Sequence, residues 1–238
     1  MKERFIQTRN YTQLLESIKH MDTARKTSSR RFGLGYGGFG VGKTYSLERV
    51  VAQTNALMFR CKEVWSEKSM LKTIAFEMGL DDSGSKAELF ERILEEFNRK
   101  HRIVILDEID KIIRKESLLE IWRDFHDNSS VVVYMIGMGG AEGQLRRNGH
   151  LYSRISDIVR FEENNIDDIT EFCGCSDVVI EKDLIEYFTE YYPNLRAVDD
   201  MIEKIEKKAK INGLKTVTLS DFKGMGIERD AASRKRSK

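Results

Sequence analysis

The sequence predicts an α/β fold in which a parallel sheet is sandwiched by helices, with a small helical domain following it. Three observations predict this. Residues 103–106 (IVIL) and 131–136 (VVVYMI) are continuously apolar, as parallel strands covered on both faces are. Stretches with apolar residues at helical spacing separate such runs, the alternation expected of a doubly wound sheet. Between a short apolar lead and a helix-forming stretch lies a glycine-rich turn at 37–42. That is the strand–turn–helix order of a βαβ unit.

Along the chain, residues 32–35 form the apolar lead and 43–53 a helix. Residues 56–60 (ALMFR) suit a strand. From 66 to 79, Met70, Leu71, Ile74, Ala75 and Met78 fall on one helical face, and Gly79 ends the run. The next helix starts at Ser85, whose hydroxyl forms a capping box with Glu88, and its stripe is Leu89, Phe90, Ile93, Leu94 and Phe97. A strand (103–106), a helix (117–125) and a second apolar strand (131–136) follow. From 166 the texture turns helical: 166–172, 181–192 and 195–212, then a short 216–219 segment and a turn at 220–223. The expected division is an N-terminal segment at 1–31, an α/β core at 32–165, a helical domain at 166–228 and a disordered basic tail at 229–238.

Composition narrows the function. The 238 residues carry 40 Lys+Arg against 39 Asp+Glu, a formal net charge of +1, with 40% hydrophobic residues. An intrinsically disordered chain would be poorer in apolar residues and more biased in charge. The balance also argues against a permanently basic nucleic-acid coat, though basic residues gathered on one face remain compatible with it. Residues 1–10 contain no apolar secretory core, and no run approaches the roughly 18 apolar residues of a spanning helix. No membrane association is expected. Cys61, Cys173 and Cys175 make no even disulfide framework, and Cys173-Gly174-Cys175 has no partnering cluster for zinc. A reducing cytoplasm is the expected compartment. His20, His101, His126 and His150 are scattered and fit no ligand spacing.

Residues 37–44 (GGFGVGKT) match G-x-x-x-x-G-K-[ST] at every fixed position. Gly37, Gly38, Phe39, Gly40, Val41 and Gly42 can turn backbone N–H groups onto phosphate oxygens with little side-chain obstruction. Lys43 reaches the β/γ-phosphates and Thr44 can ligate Mg²⁺. Tyr45 is counted with the loop's binding residues, at a helix N-terminus that favours negative charge. At the end of the 103–106 strand, Asp107 can hold Mg²⁺ through water and Glu108 can polarise an attacking water. The two motifs together point to ATP or GTP with Mg²⁺, and the Asp-Glu pair favours hydrolysis of ATP.

With these residues the chain resembles the AAA+ ATPases. The strand at 131–137 followed by Met138 and two glycines resembles the stretch bearing sensor 1, and Ser153-Arg154-Ile155 the stretch bearing an arginine finger. Pro193-Asn194-Leu195-Arg196 opens a helix as a sensor 2 arginine does in an AAA+ lid. The layout is most similar to the MuB/TnsC class of transposition target-selection ATPases. Its features are a short N-terminal segment (FIQTRNY, 5–11), a basic stretch before the loop, an Ile-Gly-Met turn and a small lid. The resemblance spans roughly residues 4–225 and implies that residues 1–31 pack on the nucleotide site. Two departures stand out. Met138 occupies a position where relatives carry a polar residue, which implies slow hydrolysis. No N-terminal helix-turn-helix precedes the core, so DNA contact would fall to the core or tails.

By this resemblance Arg154 is the finger and a catalytic residue beside Lys43, Asp107 and Glu108. Arg146 and Arg147 are alternatives, and a surface ion pair with Asp157 is the plain reading of Arg154. Arg196 is the sensor 2 residue, with pairing to Asp199 or Asp200 as its plain reading. The resemblance also implies DNA contacts by Lys62, Lys68, Lys72, Ser85 and Lys86, residue types suited to phosphates. Ordinary solvated lysines are the alternative, and Trp65 is expected to be half-buried beside them. Arg25-Lys26, Arg30-Arg31 and Arg234-Lys235-Arg236 are further basic clusters. The implied protein binds double-stranded DNA nonspecifically with ATP, assembles with itself into helical filaments and recruits a transposase. Its rivals are a helicase loader or replication-initiation ATPase, and a signalling NTPase switch that never touches DNA.

Overall fold

The computed structural model describes residues 6–227. The tail expected at 229–238, with Arg234-Lys235-Arg236, and Phe5 of the N-terminal segment lie outside the described residues. The chain divides into two compact units, the larger made of Gln13–Gly38 and Lys43–Phe161. The other comprises the described residues up to Thr12, Phe39–Gly42 and those from Glu162 onward.

The chain enters through helix α1 (Arg9–Ala24) and strand β1 (Phe32–Gly37). Next come α2 (Lys43–Thr54), β2 (Leu57–Arg60), α3 (Glu67–Glu77), α4 (Lys86–Arg99) and β3 (Ile103–Asp107). A 3-10 turn (Ile109–Lys111) leads to α5 (Glu116–Asn128), β4 (Val132–Met138), the short α6 (Ala141–Leu145) and α7 (Gly149–Tyr152), and β5 (Ile155–Phe161). The sheet is wholly parallel in the order β2-β3-β4-β1-β5. The predicted α/β fold is therefore the observed one. Because β1 lies between β4 and β5, the chain leaving β1 returns beyond both β4 and β3. All five carboxyl ends meet at one edge: Gly37 is in register with Met138 and Phe161, and Arg60 with Asp107. In open α/β sheets ligands bind at such an edge.

Burial explains why these segments become strands. Val104, Ile105, Leu106, Val132 and Val133 are fully enclosed, so both faces of β3 and β4 are apolar. Beneath α3, α4 and α5 lies an aromatic cluster in which Phe125 stacks on Phe90 at 4.6 Å and meets Phe97 edge-on at 5.4 Å. Each such pair adds about 0.5–1.5 kcal/mol beyond area burial. Ser85 caps α4 in a reciprocal box with Glu88, as the sequence predicts.

Several elements differ from expectation, the short α6 and α7 among them. Helix α1 is not among the predicted helices, although Leu14, Ile18 and Met21 line one buried face of it and Ser17 Oγ hydrogen-bonds the buried Tyr134 hydroxyl at 2.9 Å. Strand β5 is not predicted by an apolar run, because as an edge strand it alternates burial instead of running apolar throughout. The expected turn at 220–223 is part of a helix, described below.

The other unit contains α8 (Ile166–Cys173), β6 (Val179–Ile180), α9 (Lys182–Tyr191), α10 (Leu195–Asn212), β7 (Thr216–Val217) and α11 (Leu219–Gly224). Ile169, Leu184, Phe188, Val198, Ile202, Ile205 and Phe222 form its enclosed core. Helix α10 runs from an Asn194 cap to Gly213 in the left-handed region. Helix α11 forms at 219–224 because Thr218 and Asp221 make a capping box. Cys173 and Cys175 are buried free thiols, and burial pushes Cys173 up to about 12. Among the described residues no His/Cys/Asp/Glu group is arranged to hold a metal, and no helix is long and apolar enough to cross a membrane.

Candidate nucleotide site

The phosphate-loop motif lies between the last residue of β1, Gly37, and the first of α2, Lys43. Two of its glycines take conformations that L side chains rarely adopt, Gly40 with φ +73° and Gly42 with φ +88°. A Cβ on Gly40 would sit 1.9 Å from the Asn194 side chain. The backbone here is built for residues without side chains, which fits a loop meant to close on phosphate oxygens. Lys43 Nζ donates to the carbonyls of Gly37 (2.9 Å) and Gly38 and lies 3.7 Å from Met138 Sδ. Burial lowers its pKa, opposed by the charges of Asp110 and Asp107. Thr44 is exposed at the head of α2, and Tyr45 is half-buried beside it.

Asp107 is the final residue of β3 and only 5% exposed. Its Oδ1 accepts the Glu108 N–H at 2.8 Å, and its Oδ2 lies 3.6 Å from Arg60 Nε. Burial raises the Asp107 pKa, while the Glu108 N–H and Arg60 pull it back. Glu108 leaves the strand in the left-handed region (φ 55°, ψ 43°), a conformation costing a non-glycine residue about 1–2 kcal/mol. Its carboxylate pairs with Lys111 and lies 4.0 Å from Arg60 Nε. Strain at this residue is consistent with a functional carboxylate held at a strand end.

The structure thus gathers Lys43, Asp107 and Glu108 at one edge of the sheet and adds two residues that sequence reasoning missed. Arg60 reaches both acids because β2 pairs with β3 in a register only the folded sheet defines. Asp110 Oδ2 accepts the Met138 N–H at 2.8 Å, fixing the turn after β4. The run Asp107-Glu108-Ile109-Asp110 carried a signal for the latter, a third acid on the same turn.

Arg154 lies in the turn before β5, and its partner is Asp127, not Asp157. Nε and Nη2 donate to the two Asp127 oxygens at 2.7 and 2.5 Å, and Nη1 to the His150 carbonyl at 2.7 Å. A partner 27 positions away on α5 could not be read from local spacing. Arg146 is held by Glu142 and stacks over Tyr152, whereas Arg147 is exposed and makes no ion pair among the described residues.

In the other unit, Asn194 Oδ1 caps α10 by accepting the Arg196 N–H at 3.0 Å, while its Nδ2 donates to the Phe39 carbonyl at 3.2 Å. Arg196 is exposed in the first turn and makes no ion pair with Asp199 or Asp200 among the described residues. A cation there is unfavourable by a few tenths of a kcal/mol up to about 1 unless it meets an anion.

The residues expected to touch DNA divide. Lys68 and Lys86 line one cleft of about 500 Å³, together with Trp65, Glu67, Lys115 and Ser117. Lys62 and Lys72 are exposed but do not line it, and Ser85 is the exposed cap of α4. Trp65 is buried, 5% exposed, where half-burial was expected, and its carbonyl accepts from Lys115. Glu67 sits in the cleft paired with Lys86, and hydrogen bonds from Lys86 and Ser117 lower its pKa.

A sheet of this order, with a complete phosphate-loop motif and an Asp-Glu pair at adjacent strand ends, defines a P-loop nucleotide-binding protein. The family model described as AAA domain matches residues 25–145, just over half of the chain, and the chain belongs to that family. A Staphylococcus aureus protein described as a potential ATP-binding protein is 29% identical over 127 residues, 49% of this chain. The chain spans about half the length of that curated relative, 46%. Among solved structures, the Aeropyrum pernix ORC2 protein, in ADPNP-ADP complexes, matches with TM-score 0.74 at 13% identity, over 94% of this chain and 70% of that one. The Aeropyrum pernix ORC1 protein in complex with DNA matches with TM-score 0.63 at 16% identity, over 94% and 66%. At these identities the likeness is one of fold.

Proposed function

We propose that this chain hydrolyses ATP and uses the ATP state to assemble on double-stranded DNA without reading its sequence. The observation that carries the proposal is the meeting of Lys43, Asp107 and Glu108 at the carboxyl edge of β1 and β3. Lys43 is suited to neutralise the β/γ-phosphates, and the glycine backbone of 37–42 to wrap them. Thr44 and Asp107 are the residues that would hold Mg²⁺, which when bound supplies charge neutralisation of the phosphates. Glu108 orients and polarises the attacking water as a general base. Arg154 of one subunit serves the site of the next, where a guanidinium spreads the charge developing on the γ-phosphoryl. Arg196, in the first turn of α10, is the residue suited to a sensor 2 role.

For DNA, the cleft carrying Lys68, Lys86 and Lys115 offers cations for phosphate contact, which holds a protein on a duplex without specifying sequence. That the ORC1 fold relative was solved in complex with DNA supports DNA as a partner. The layout shared with the MuB/TnsC class supports a role in transposition, with a filament on target DNA recruiting a transposase. Met138 beside Lys43 supports slow turnover.

Steady-state ATP hydrolysis with and without duplex, for wild type and Glu108→Gln, tests the enzymatic half. We expect hydrolysis that duplex stimulates and the variant abolishes; equal turnover by the variant contradicts the role of Glu108. Capture of transposase against replicative helicase separates the transposition reading from the helicase-loader reading. The absence of any ATP-dependent, salt-sensitive DNA affinity would favour a signalling switch.

A further inference from the structure

The environment of Arg154 contains more than an ion pair. His126 is 2% exposed and stacks on Phe32 at 4.8 Å between ring centroids. Its Nε2 accepts the Arg31 N–H at 3.1 Å, so the proton of the neutral ring resides on Nδ1, which donates to Asp127 Oδ1 at 2.7 Å. Burial lowers the His126 pKa, in keeping with a neutral ring. Asp127 therefore has one oxygen fixed from behind by a buried donor while both oxygens receive Arg154.

A guanidinium has five N–H donors in a planar fork. Asp127 takes the Nε proton and one on Nη2, and the His150 carbonyl takes one on Nη1. One N–H on Nη1 and one on Nη2 remain. They lie on adjacent nitrogens, the spacing with which arginine grips phosphate oxygens in a bidentate manner. Glu142 holds the same two nitrogens of Arg146 through a single oxygen, whereas Arg154 meets both oxygens of Asp127.

We propose that Asp127 is the positioning residue for Arg154: it grips the guanidinium by one edge and presents the other two N–H groups to the γ-phosphate of a neighbouring subunit's ATP. The chain Arg31 N–H, His126, Asp127, Arg154 fixes this arrangement from the start of β1, whose far end opens into the phosphate loop. Fixing the side chain in advance removes rotamer freedom that would otherwise be lost in the transition state. Asp127 touches no substrate and acts only through Arg154. This inference rests on the reading of Arg154 as the donated finger.

Mixed assemblies test it. Arg154→Ala subunits keep an intact site but donate no finger, and Glu108→Gln subunits donate a finger but cannot hydrolyse. Mixing them should restore turnover at the Arg154→Ala sites. A Glu108→Gln donor also carrying Asp127→Ala should restore at least about tenfold less, since misplacing a catalytic group by about 1 Å costs up to about a hundredfold. Asp127→Asn, which keeps one acceptor oxygen, should fall between and guards against misfolding of the alanine variant. ATP affinity of the Asp127 variants should match wild type, while Asp127→Ala, which leaves the buried His126 Nδ1–H without its acceptor, should lower the thermal midpoint more than Asp127→Asn. Full restoration by both Asp127-substituted donors overturns the positioning role while leaving the finger intact. Wild-type turnover by Arg154→Ala alone, or no rescue by the Glu108→Gln donor, overturns the finger and with it this inference.

Discussion

Arg60 Nε lies 3.6 Å from Asp107 Oδ2, because β2 and β3 run parallel with these two residues in register at their carboxyl ends. The carboxylate proposed to hold Mg²⁺ is buried and tends toward its neutral form, and Arg60 is one of the groups pulling it back.

Arg60→Ala should therefore move the acid limb of the hydrolysis profile to higher pH. Without the guanidinium the Asp107 pKa rises further, so activity is lost earlier as pH falls. At about pH 8, away from the acid limb, the loss should be modest, about two- to fivefold, because the arginine of the pair is half-exposed. An unmoved acid limb, measured across the profile, would detach Arg60 from Asp107.

Met138 approaches Lys43 with a sulfur, a weak acceptor and no donor. Met138→Asn supplies an amide N–H at that point and should raise kcat by about tenfold, the scale of one hydrogen bond to a charged group. Met138→Leu, with no such donor, should leave kcat near wild type. Equal kcat in the two variants would show that a polar group there does not assist hydrolysis.

Asn194 does two tasks that can be separated. Asn194→Ala removes the α10 cap and should cost about 1 kcal/mol of stability, read as a lowered thermal midpoint. Asn194→Asp keeps the capping oxygen but loses the N–H given to the Phe39 carbonyl and brings a negative charge to the loop. It should keep the midpoint and weaken ATP affinity roughly five- to tenfold. Loss of stability in the aspartate variant would contradict the division.

Glu67 pairs with Lys86 inside the cleft proposed for DNA phosphate. Glu67→Gln should free that lysine, raising duplex affinity several-fold at about 0.1 M salt and steepening the salt dependence by about one ion. Glu77→Gln, at the far end of the same helix, should do neither. The same gain from both would reduce the effect to net charge.

Much of this was legible in the sequence, for physical reasons. The phosphate loop is a local motif with fixed spacing, and β3 and β4 are enclosed on both faces, so their apolar runs stand out. Ser85 and Glu88 announced the start of α4 because a capping box is contained within four residues. What escaped depends on distance along the chain. Arg60 meets Asp107 through strand register, Arg154 meets Asp127 across 27 positions, and Asn194 reaches a loop 155 positions earlier. Strand β5 escaped because an edge strand alternates, and α1 because its buried face is sparse among polar residues. The neutral composition excluded a constitutive basic coat; it is compatible with lysines collected in one cleft, where assembly would multiply weak contacts.

Sedimentation of the wild-type protein with duplex DNA, in ATP against ADP, tests the central claim most directly. The account predicts a fast-sedimenting species containing both protein and duplex in ATP, persisting longest in Glu108→Gln, and its absence in ADP. Identical sedimentation in the two nucleotides, with no duplex carried down, would contradict it.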